Sequence, residues 1–505
     1  MLLVAARFFF IDSDPPYGIV SWSADIFTDE GWWTKNAQLW AKFGELRNEY
    51  DSNLIVNSAA FTALMAAIFT LFSVDLHVAR YAAVVASVVS LLMLYAIARR
   101  SLAREAALLV VVASAVTLHQ VTYARLSILE PFGTCFSIVA IYFLLAPSRR
   151  LLNQSLALAF ALLAAFIKTT FLFTVGAVVA WLAFEALDYL RKGNRRYAGL
   201  TLVAVMLWMT IGLLVRATLH RLLPEEAIVA SYQISHRFVD GWLLSLMGNE
   251  IRAFSYVTRS YHWFALFLAI GGALVWWLVR FAVGRRIVVE REATVALLWL
   301  LAGVVFFGAL TYQAPRYFYF VSFAAPLLAV SLIYRLCEGL GRPAATAAIV
   351  AVVSAHAVSQ LPAYRAWYWQ GGNASYVETA KAFALQMERD SASEGAGEIV
   401  VVGPVSSFVS FFSDRIRPTE FRELMPFAPE ESKALIGRED DICTRISHWR
   451  PRYAVGPENR LPRLVDECPS IVHAEQEIAR SAVMRQWYYK ADFILRRVTY
   501  RSEAK

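Results

Sequence analysis

The chain has 505 residues, of which 58% are hydrophobic, 14% aromatic and only 17% charged, and its formal net charge is +8. Soluble globular chains are about 45–50% apolar and about 25% charged, so this balance excludes a soluble enzyme and predicts an integral membrane protein. The aromatic content excludes disorder, collagen and a coiled coil. Four cysteines are too few for a disulfide scaffold or a cysteine-rich metal array.

The first apolar segment is too short to cross a bilayer. Only about ten apolar residues precede Asp12, with Arg7 among them, whereas a spanning helix needs about 20. No cleavage site follows, so the segment is not a signal peptide. We expect a truncated first helix, most simply because the start codon is assigned too late.

A series of apolar segments follows, and the joints between them alternate in charge. Basic joints such as Arg99-Arg100 and 191–196 are cytoplasmic by the positive-inside rule, so the net charge reports topology and does not require nucleic acid. The predicted membrane helices lie near 75–98, 106–122, 131–146, 154–167, 170–190, 198–215, 261–283, 293–312, 317–336 and 343–359. The extracytoplasmic side then holds 11–53, 123–130, Lys168, 216–260, Arg316 and everything after 360.

Residues 54–73 leave two topologies open. They are apolar enough to span the membrane, which would place 11–53 in the cytoplasm. Thr62, Thr70 and Ser73 interrupt the segment, and no basic residue flanks it. We therefore expect a helix that lies in the outer interface, within a transmembrane domain of residues 1–360 that has about 10–11 helices.

The composition changes near Pro362, and residues 361–505 predict a small extracytoplasmic α/β domain. Strand-like runs occur at 399–402, 453–455 and 493–500, with helical stretches at 374–389 and around 473–486. Cys443 and Cys468 lie on the oxidising side in this topology and can pair, although two unpaired cysteines are the alternative. Cys135 and Cys337 fall in membrane segments as apolar filler.

The first outer loop carries two adjacent carboxylates, Asp29 and Glu30, followed by Trp32 and Trp33. A carboxylate at the bilayer surface is desolvated on one side, so it can become basic enough to take a proton from an acceptor. The alternative is a solvated loop with an acidic first helical turn.

Five further charged or aromatic positions lie at outer membrane boundaries. Arg125 and Glu130 can form a structural ion pair or shape a site. Lys168 either extends its ammonium to the interface or binds an anion such as a lipid phosphate. Arg316 suits phosphate geometry, and Arg316-Tyr317 is also a common interfacial anchor.

The other sequence motifs favour some classes of chemistry over others. The 216–260 loop mixes His and Arg with Tyr and Trp, a pattern that suits either a sugar face or a membrane-surface helix. No metal-ligand spacing occurs among the histidines and cysteines. No phosphate-binding glycine loop occurs either, so nucleotide-driven cytoplasmic chemistry is disfavoured.

The order of these features resembles the GT-C polytopic glycosyltransferases, and most closely the protein O-mannosyltransferase and aminoarabinose lipid A transferase type. The features are Asp29-Glu30 in a large outer loop, Ala79-Arg80-Tyr81, Tyr123-Ala124-Arg125 with Glu130, Lys168, and Pro315-Arg316-Tyr317 with Pro326. The resemblance covers most of residues 1–360. It implies a mainly α fold, a GT-C transmembrane helix bundle with a C-terminal extracytoplasmic α/β domain, in the inner membrane.

The resemblance also implies an enzyme that moves a hexosyl or pentosyl group from a polyprenyl-phosphate donor to a protein, lipid or glycan acceptor. Asp29 would be the base of an inverting displacement, with Glu30 as its neighbour. Lys168 and Arg316, with Tyr317, would hold the lipid phosphate, while Arg125 and Glu130 would shape the cavity. No metal site is assigned and no cofactor is certain, with a divalent cation left open.

One position departs from the family pattern. Lipid A transferases usually place Glu-Lys-Pro near the start of the interfacial helix, where this chain has Val56-Asn57-Ser58. The change removes an expected phosphate or metal contact and leaves the acceptor class open, and Asn53 or Asn57 would substitute by hydrogen bonding. The competing functions are a lipid-linked sugar flippase or transporter, and a polysaccharide polymerase or ligase.

Overall fold

The structure is a computed structural model of the whole chain. It describes residues 7–8, 11, 26–47, 55–146, 150–223, 263–282, 290–308, 315–337, 340–370, 375–392, 397–419, 442–459, 461–482 and 491–501. Asn53 and most of the 216–260 loop lie outside the described residues.

The described part of the transmembrane region consists of helices joined by short turns. Its helices are α1 (Ile26–Phe43), α2 (Ile55–Phe72), α3 (Leu76–Ala98), α4 (Arg104–Ala115), α5 (Leu118–Tyr123), α6 (Leu129–Leu145), α7 (Arg150–Ile167), α8 (Leu172–Arg191), α9 (Arg195–Leu222), α10 (Phe264–Ala282), α11 (Arg291–Gly308), α12 (Val321–Leu336) and α13 (Arg342–Gln370). Short 3-10 turns at Thr169–Phe171 and Pro315–Phe320 precede α8 and α12. Each predicted membrane segment contains a helix, which confirms the predicted fold class.

One predicted helix is broken. The segment 106–122 forms α4 and α5, which are separated at Thr117, whose backbone is extended (φ −67°, ψ 119°). The Thr117 hydroxyl donates to the carbonyl oxygen of Ala113 at 2.9 Å and lies 2.9 Å from Nε2 of His356. A threonine side chain bonded in this way competes with the helical backbone pattern.

Seven helical segments in the described part of the chain are long and apolar enough to cross a membrane. They are Ile55–Phe72, Leu76–Ala98, Arg150–Ile167, Thr169–Arg191, Arg195–Leu222, Arg316–Leu336 and Arg342–Pro362. The protein is therefore an integral multi-pass membrane protein. By length and composition α2 also qualifies as a span, and its interfacial orientation stays a prediction.

The burial of these segments differs widely. In the most apolar stretch of Arg316–Leu336, 94% of the residues are buried inside the protein, compared with 11% for Arg195–Leu222. The helix α12 is therefore central, whereas α9 presents nearly all of its surface to its surroundings. Only Ala198, Thr201 and Gly212 of α9 are buried.

Charged joints of the same predicted side come together. Arg150 and Arg291 both bind the buried carboxylate of Glu185, Arg150 at 3.0 Å, and Gln154 donates to its other oxygen at 3.2 Å. Lys168 and Arg316, predicted on the opposite side, meet at Glu130. Which end faces the cytoplasm stays a prediction.

The C-terminal region forms a five-stranded sheet with α14 (Ser375–Ser391) and shorter helices around it. The strands are β1 (Ile399–Val402), β2 (Ile416–Thr419), β3 (Tyr453–Pro457), β4 (Val472–Ser481) and β5 (Phe493–Tyr500), in the order β2-β1-β3-β5-β4. The first three strands are parallel, and β5 pairs antiparallel with β3 and β4. The three predicted strands are all present, whereas β2 was not predicted.

The predicted helix around 473–486 is wrong over its described part, because residues 472–481 form β4. The segment is rich in Ala, Glu and Gln, which favour helices. It pairs with β5 along nearly its whole length, from Val472 opposite Tyr500 to Ser481 opposite Phe493. Tertiary pairing therefore overrides the local preference.

Cys443 and Cys468 form a disulfide, with their Cα atoms 5.4 Å apart. Cys468 belongs to a core cluster between the sheet and the helices Ile442–Trp449 and Leu464–Glu467. The structure thus resolves the choice between paired and unpaired cysteines in favour of the pair.

The chain divides into two compact units, 1–9 with 83–219 and 234–369, and 10–82 with 220–233 and 370–505. The second unit therefore contains α1, α2 and the start of α3 together with the C-terminal sheet. The division of the chain into domains at residue 360 stays a prediction.

Candidate active site

Asp29 and Glu30 lie near the start of α1, and both side chains are buried. Arg80, in the first turns of α3, binds the carboxylate of Glu30 with two hydrogen bonds, from Nε to Oε1 at 3.0 Å and from Nη2 to Oε2 at 2.6 Å. Its remaining nitrogen, Nη1, donates to the carbonyl oxygen of Ile11. Glu30 is therefore held by a two-point, charge-assisted contact, the strongest kind of side-chain hydrogen bonding.

The two adjacent carboxylates have different surroundings. The guanidinium of Arg80 contacts both oxygens of Glu30. Asp29 lies in the first turn of α1, near the positive end of the helix dipole. The acidic first turn is present as expected, but burial of both carboxylates does not fit a solvated loop.

A second buried group gathers around Glu130, at the start of α6. Lys168 Nζ lies 2.5 Å from Glu130 Oε1, and Arg316 Nε lies 3.6 Å from the same oxygen. The three side chains are between 3% and 8% exposed. Two cations therefore contact one carboxylate in a place that water hardly reaches.

Tyr317 completes this group. The ammonium of Lys168 lies 4.2 Å from the centre of the Tyr317 ring, and the guanidinium carbon of Arg316 lies 5.5 Å from it. Both distances are within the range of cation–π attraction. The Tyr317 ring is itself stacked on Phe307, with the ring centres 5.4 Å apart. This packing holds the ring beside both cations.

Gly133 permits the approach that forms the Glu130 group. A Cβ atom at Gly133 would lie 2.2 Å from the ring of Phe171, closer than any real contact. Gly133 is three residues after Glu130, and Phe171 is three residues after Lys168. The missing side chain therefore lets the first turn of α6 reach the 3-10 turn that follows Lys168.

Two further predicted site residues, Arg125 and Asn57, lie elsewhere in the fold. Arg125 is buried between α5 and α6, and Glu130, its predicted partner in an ion pair, is instead bound by Lys168 and Arg316. Asn57 is half-buried in the first turn of α2, beside a kink at Ser58 (φ −144°, ψ 34°). The hydroxyls of Ser58 and Thr62 lie 3.5 Å apart across that kink.

Sequence reasoning did not identify Arg80 as a site residue. The signal was present, because Arg80 is a charged residue within the apolar segment 75–98, and such residues mark functional or structural pairing by default. Its partner Glu30 is 50 residues away in the chain, so spacing could not reveal the pair. No group of three His, Cys, Asp or Glu side chains within the described ranges could hold a metal ion.

Comparison with known proteins supports the predicted resemblance. A family model described as dolichyl-phosphate-mannose-protein mannosyltransferase matches residues 58–147. No curated protein sequence matches the chain.

Solved structures match over nearly the whole chain. The crystal structure of ArnT from Cupriavidus metallidurans bound to undecaprenyl phosphate superposes with a TM-score of 0.62 at 14% identity, covering 98% of this chain and 96% of that one. The apo structure of ArnT from the same organism gives a TM-score of 0.59 at 14% identity, covering 98% and 97%.

A weaker likeness, with a TM-score of 0.49 at 12% identity, is to the Archaeoglobus fulgidus oligosaccharyltransferase in complex with Zn and sulfate, covering 90% of this chain and 68% of that one. The match to ArnT extends from the first helices to the C-terminal sheet. The chain therefore has the GT-C fold of polytopic membrane glycosyltransferases, as its sequence resemblance predicted.

Proposed function

We propose that this protein is a glycosyltransferase that moves a sugar from a polyprenyl-phosphate carrier to an acceptor hydroxyl or amine at the extracytoplasmic face of the membrane. The observation that carries the proposal is the buried group of Glu130, Lys168, Arg316 and Tyr317. The ammonium of Lys168 and the guanidinium of Arg316 suit the phosphate of a lipid carrier, since both groups form charge-assisted hydrogen bonds with phosphate oxygens. The likeness to ArnT bound to undecaprenyl phosphate supports the same ligand class.

In the proposed reaction, Asp29 accepts the proton of the acceptor while the acceptor atom attacks the anomeric carbon. The bond between that carbon and the phosphate oxygen breaks, and the polyprenyl phosphate leaves with the electron pair. Lys168 and Arg316 offset the charge that develops on the phosphate, the kind of prearranged electrostatic stabilisation on which enzymes rely most. A single displacement of this kind inverts the anomeric configuration.

The acceptor is a protein, a lipid or a glycan. Asn57, half-buried near the kink in α2, offers an amide rather than a charge where lipid A transferases usually have Glu-Lys-Pro. Arg125, buried before α6, would shape the donor site together with Glu130.

The proposal is tested with purified protein in lipid, radiolabelled polyprenyl-phosphate sugars, and candidate acceptors. We expect Asp29→Asn to lower kcat about 1,000-fold or more, because loss of a general base typically costs about 10²–10⁴ in rate. We expect Lys168→Met to raise KM for the donor. Lys192→Met, which removes an exposed lysine paired with Asp188, is the control and leaves both constants unchanged.

Two outcomes would contradict the proposal in different ways. Undiminished transfer by Asp29→Asn would remove Asp29 as the base. Absence of transfer by the wild type with every donor, together with movement of the lipid-linked sugar across the bilayer, would make the protein a transporter.

A further inference from the structure

The helix α1 makes an unusually close contact with the C-terminal domain two residues after Asp29. A Cβ atom at Gly31 would lie 2.3 Å from the backbone nitrogen of Phe408 and 2.6 Å from the carbonyl carbon of Ser407. Both neighbours are backbone atoms, which cannot rotate away as a side chain can. Only glycine therefore allows α1 to lie directly on the segment 406–413.

The same contact continues along one face of α1. Gln38 donates from Nε2 to the carbonyl oxygen of Ser407 at 3.2 Å and accepts a hydrogen bond from the hydroxyl of Ser410. Lys42 donates from Nζ to the carbonyl oxygens of Ser410 and Ser413, the second at 2.8 Å. Gly31, Gln38 and Lys42 are seven and four residues apart, which places them on one side of a helix with 3.6 residues per turn.

A charged anchor fixes the end of this helix. The side chain of Arg417 in β2 is only 5% exposed, and it binds Glu45 through Nη1 at 2.7 Å and Glu398 through Nε at 2.6 Å. Its guanidinium also lies 4.3 Å from the ring centre of Phe43, the last residue of α1. Arg417 thus contacts both Phe43, the last residue of α1, and Glu45, two residues after it.

This contact is opposite to the side from which Asp29 projects. Successive helical residues are about 100° apart, so Asp29 and Gly31 differ by about 200° around the axis of α1. Glu30, which lies between them, is held by Arg80. The helix α1 is therefore held at Gly31 by the segment 406–413 and at Glu30 by Arg80, and Asp29 lies on a third side.

We propose that the C-terminal domain positions the catalytic carboxylate, and that Gly31 and Arg417 are positioning residues for sugar transfer. This inference rests on the proposed function, in which Asp29 is the base. The C-terminal domain then acts as part of the catalytic apparatus, because a shift of α1 by a methyl group's width moves Asp29 relative to the proton that it accepts. A displacement of about 1 Å at a reacting group can cost about 100-fold in rate.

The test compares Gly31→Ala with Gly397→Ala in the full-length protein. Gly397 lies in the same domain and has no atom within 4 Å of an added Cβ, so its variant keeps wild-type activity. We expect Gly31→Ala to lower kcat at least tenfold while KM for the polyprenyl-phosphate sugar stays within twofold. Amide hydrogen exchange in α1 should rise in Gly31→Ala and not in Gly397→Ala.

A second pair of variants decides the question if Gly31→Ala does not fold. Arg417→Met removes the charge that binds Glu45 and Glu398, whereas Arg417→Lys keeps a charge but loses the forked geometry. We expect kcat to fall in the order wild type, Arg417→Lys, Arg417→Met, again with KM for the donor nearly constant. Wild-type kcat in either a folded Gly31→Ala or Arg417→Met would overturn the inference.

The assay separates this inference from the proposed function. If Asp29→Asn is inactive and Gly31→Ala is fully active, the proposed function stands and the positioning role is wrong. If Asp29→Asn is fully active, Asp29 is not the base and the positioning role for catalysis falls with it. A rise in hydrogen exchange of α1 in Gly31→Ala would then report only that α1 packs on the C-terminal domain.

Discussion

Glu30 and Glu130 are buried carboxylates that owe their stability to cations from distant parts of the chain. Glu30 is bound by Arg80, and Glu130 by Lys168 and Arg316. Removing one partner of a buried pair leaves an uncompensated charge, whereas removing both avoids that cost. We therefore expect the two groups to respond differently to substitution, because one cation contacts Glu30 and two contact Glu130.

The Glu130 group can be tested by a double-mutant cycle. Glu130→Gln removes the carboxylate that both buried cations contact, and we expect it to destabilise the protein by about 3 kcal/mol or more. Adding Lys168→Met removes one of those cations, so the double variant should be more stable than Glu130→Gln alone. Thermal unfolding in detergent, followed by intrinsic fluorescence, measures the order.

An exposed pair provides the reference for this cycle. Asp188 binds Lys192 at 2.6 Å on the surface of α8, and exposed pairs contribute at most about 1 kcal/mol. Asp188→Asn should therefore leave the unfolding temperature almost unchanged. A double variant at Glu130 and Lys168 that is no more stable than Glu130→Gln would show that the buried Lys168 ammonium carries no cost once the Glu130 carboxylate is removed.

The partners of these residues were beyond the reach of sequence reasoning. The sequence identified Glu130, Lys168 and Arg316 one at a time, from their positions at the ends of apolar segments. It offered Arg125 as the partner of Glu130 because the two are close in the chain. The contacts instead join residues 38 and 50 positions apart, and such pairing is decided by helix packing.

Helices were the most predictable elements of this chain, because long apolar segments bounded by charged joints leave few alternatives. Their breaks and the strands were less predictable. The interruption at Thr117 depends on a hydroxyl that also contacts His356, and β4 depends on its partner β5. Both outcomes come from tertiary contacts that a local pattern does not contain.

The packing of α6 yields a prediction at this scale. Gly133→Ala would place a methyl group 2.2 Å from the Phe171 ring, and overpacking of this kind typically costs about 1–3 kcal/mol. We expect a lower unfolding temperature and a higher KM for the lipid donor, because the approach of Glu130 to Lys168 is disturbed. Donor kinetics and thermal unfolding check the two effects.

Gly176→Ala is the matched control. Gly176 lies inside α8, and an added Cβ there meets no atom within 4 Å, so alanine should be neutral or stabilise the helix by up to about 1 kcal/mol. Equal stability of the two variants would mean that the Phe171 ring moves aside without cost.

The whole molecule combines a membrane-embedded bundle with a sheet domain closed by one disulfide. A disulfide persists in an oxidising compartment, so the Cys443–Cys468 bond agrees with the predicted extracytoplasmic side. The resemblance of most of residues 1–360 to the aminoarabinose lipid A transferase type was predicted from a few short motifs in the right order. The grouping of α1 and α2 with the C-terminal sheet was not predicted. It depends on hydrogen bonds between residues that are 369 and 371 positions apart in the chain.

Thiol labelling tests the placement of this domain. In protein taken from cells and denatured without reductant, we expect only Cys135 and Cys337 to react with a maleimide of high mass, and all four cysteines to react after reduction. The double variant Cys443→Ser/Cys468→Ser should show two reactive cysteines in both conditions. It should also be less stable by about 3 kcal/mol, the chain-entropy estimate for a loop of this length.

Four reactive cysteines without reductant would contradict the extracytoplasmic placement, because the domain would then have been exposed to a reducing compartment. The same gel shift therefore reports on topology and on the bond.

The largely exposed helix α9 has the length and composition of a membrane span. Its uncharged stretch, residues 197–215, lies between Arg196 and Arg216 and is about 28 Å long at 1.5 Å per residue, close to the thickness of the hydrocarbon layer. Arg216 donates to the hydroxyl of Thr169 at 3.4 Å, and Thr169 follows Lys168. We therefore expect Lys168 to lie level with the lipid headgroups, where it could contact the phosphate of a membrane-bound carrier.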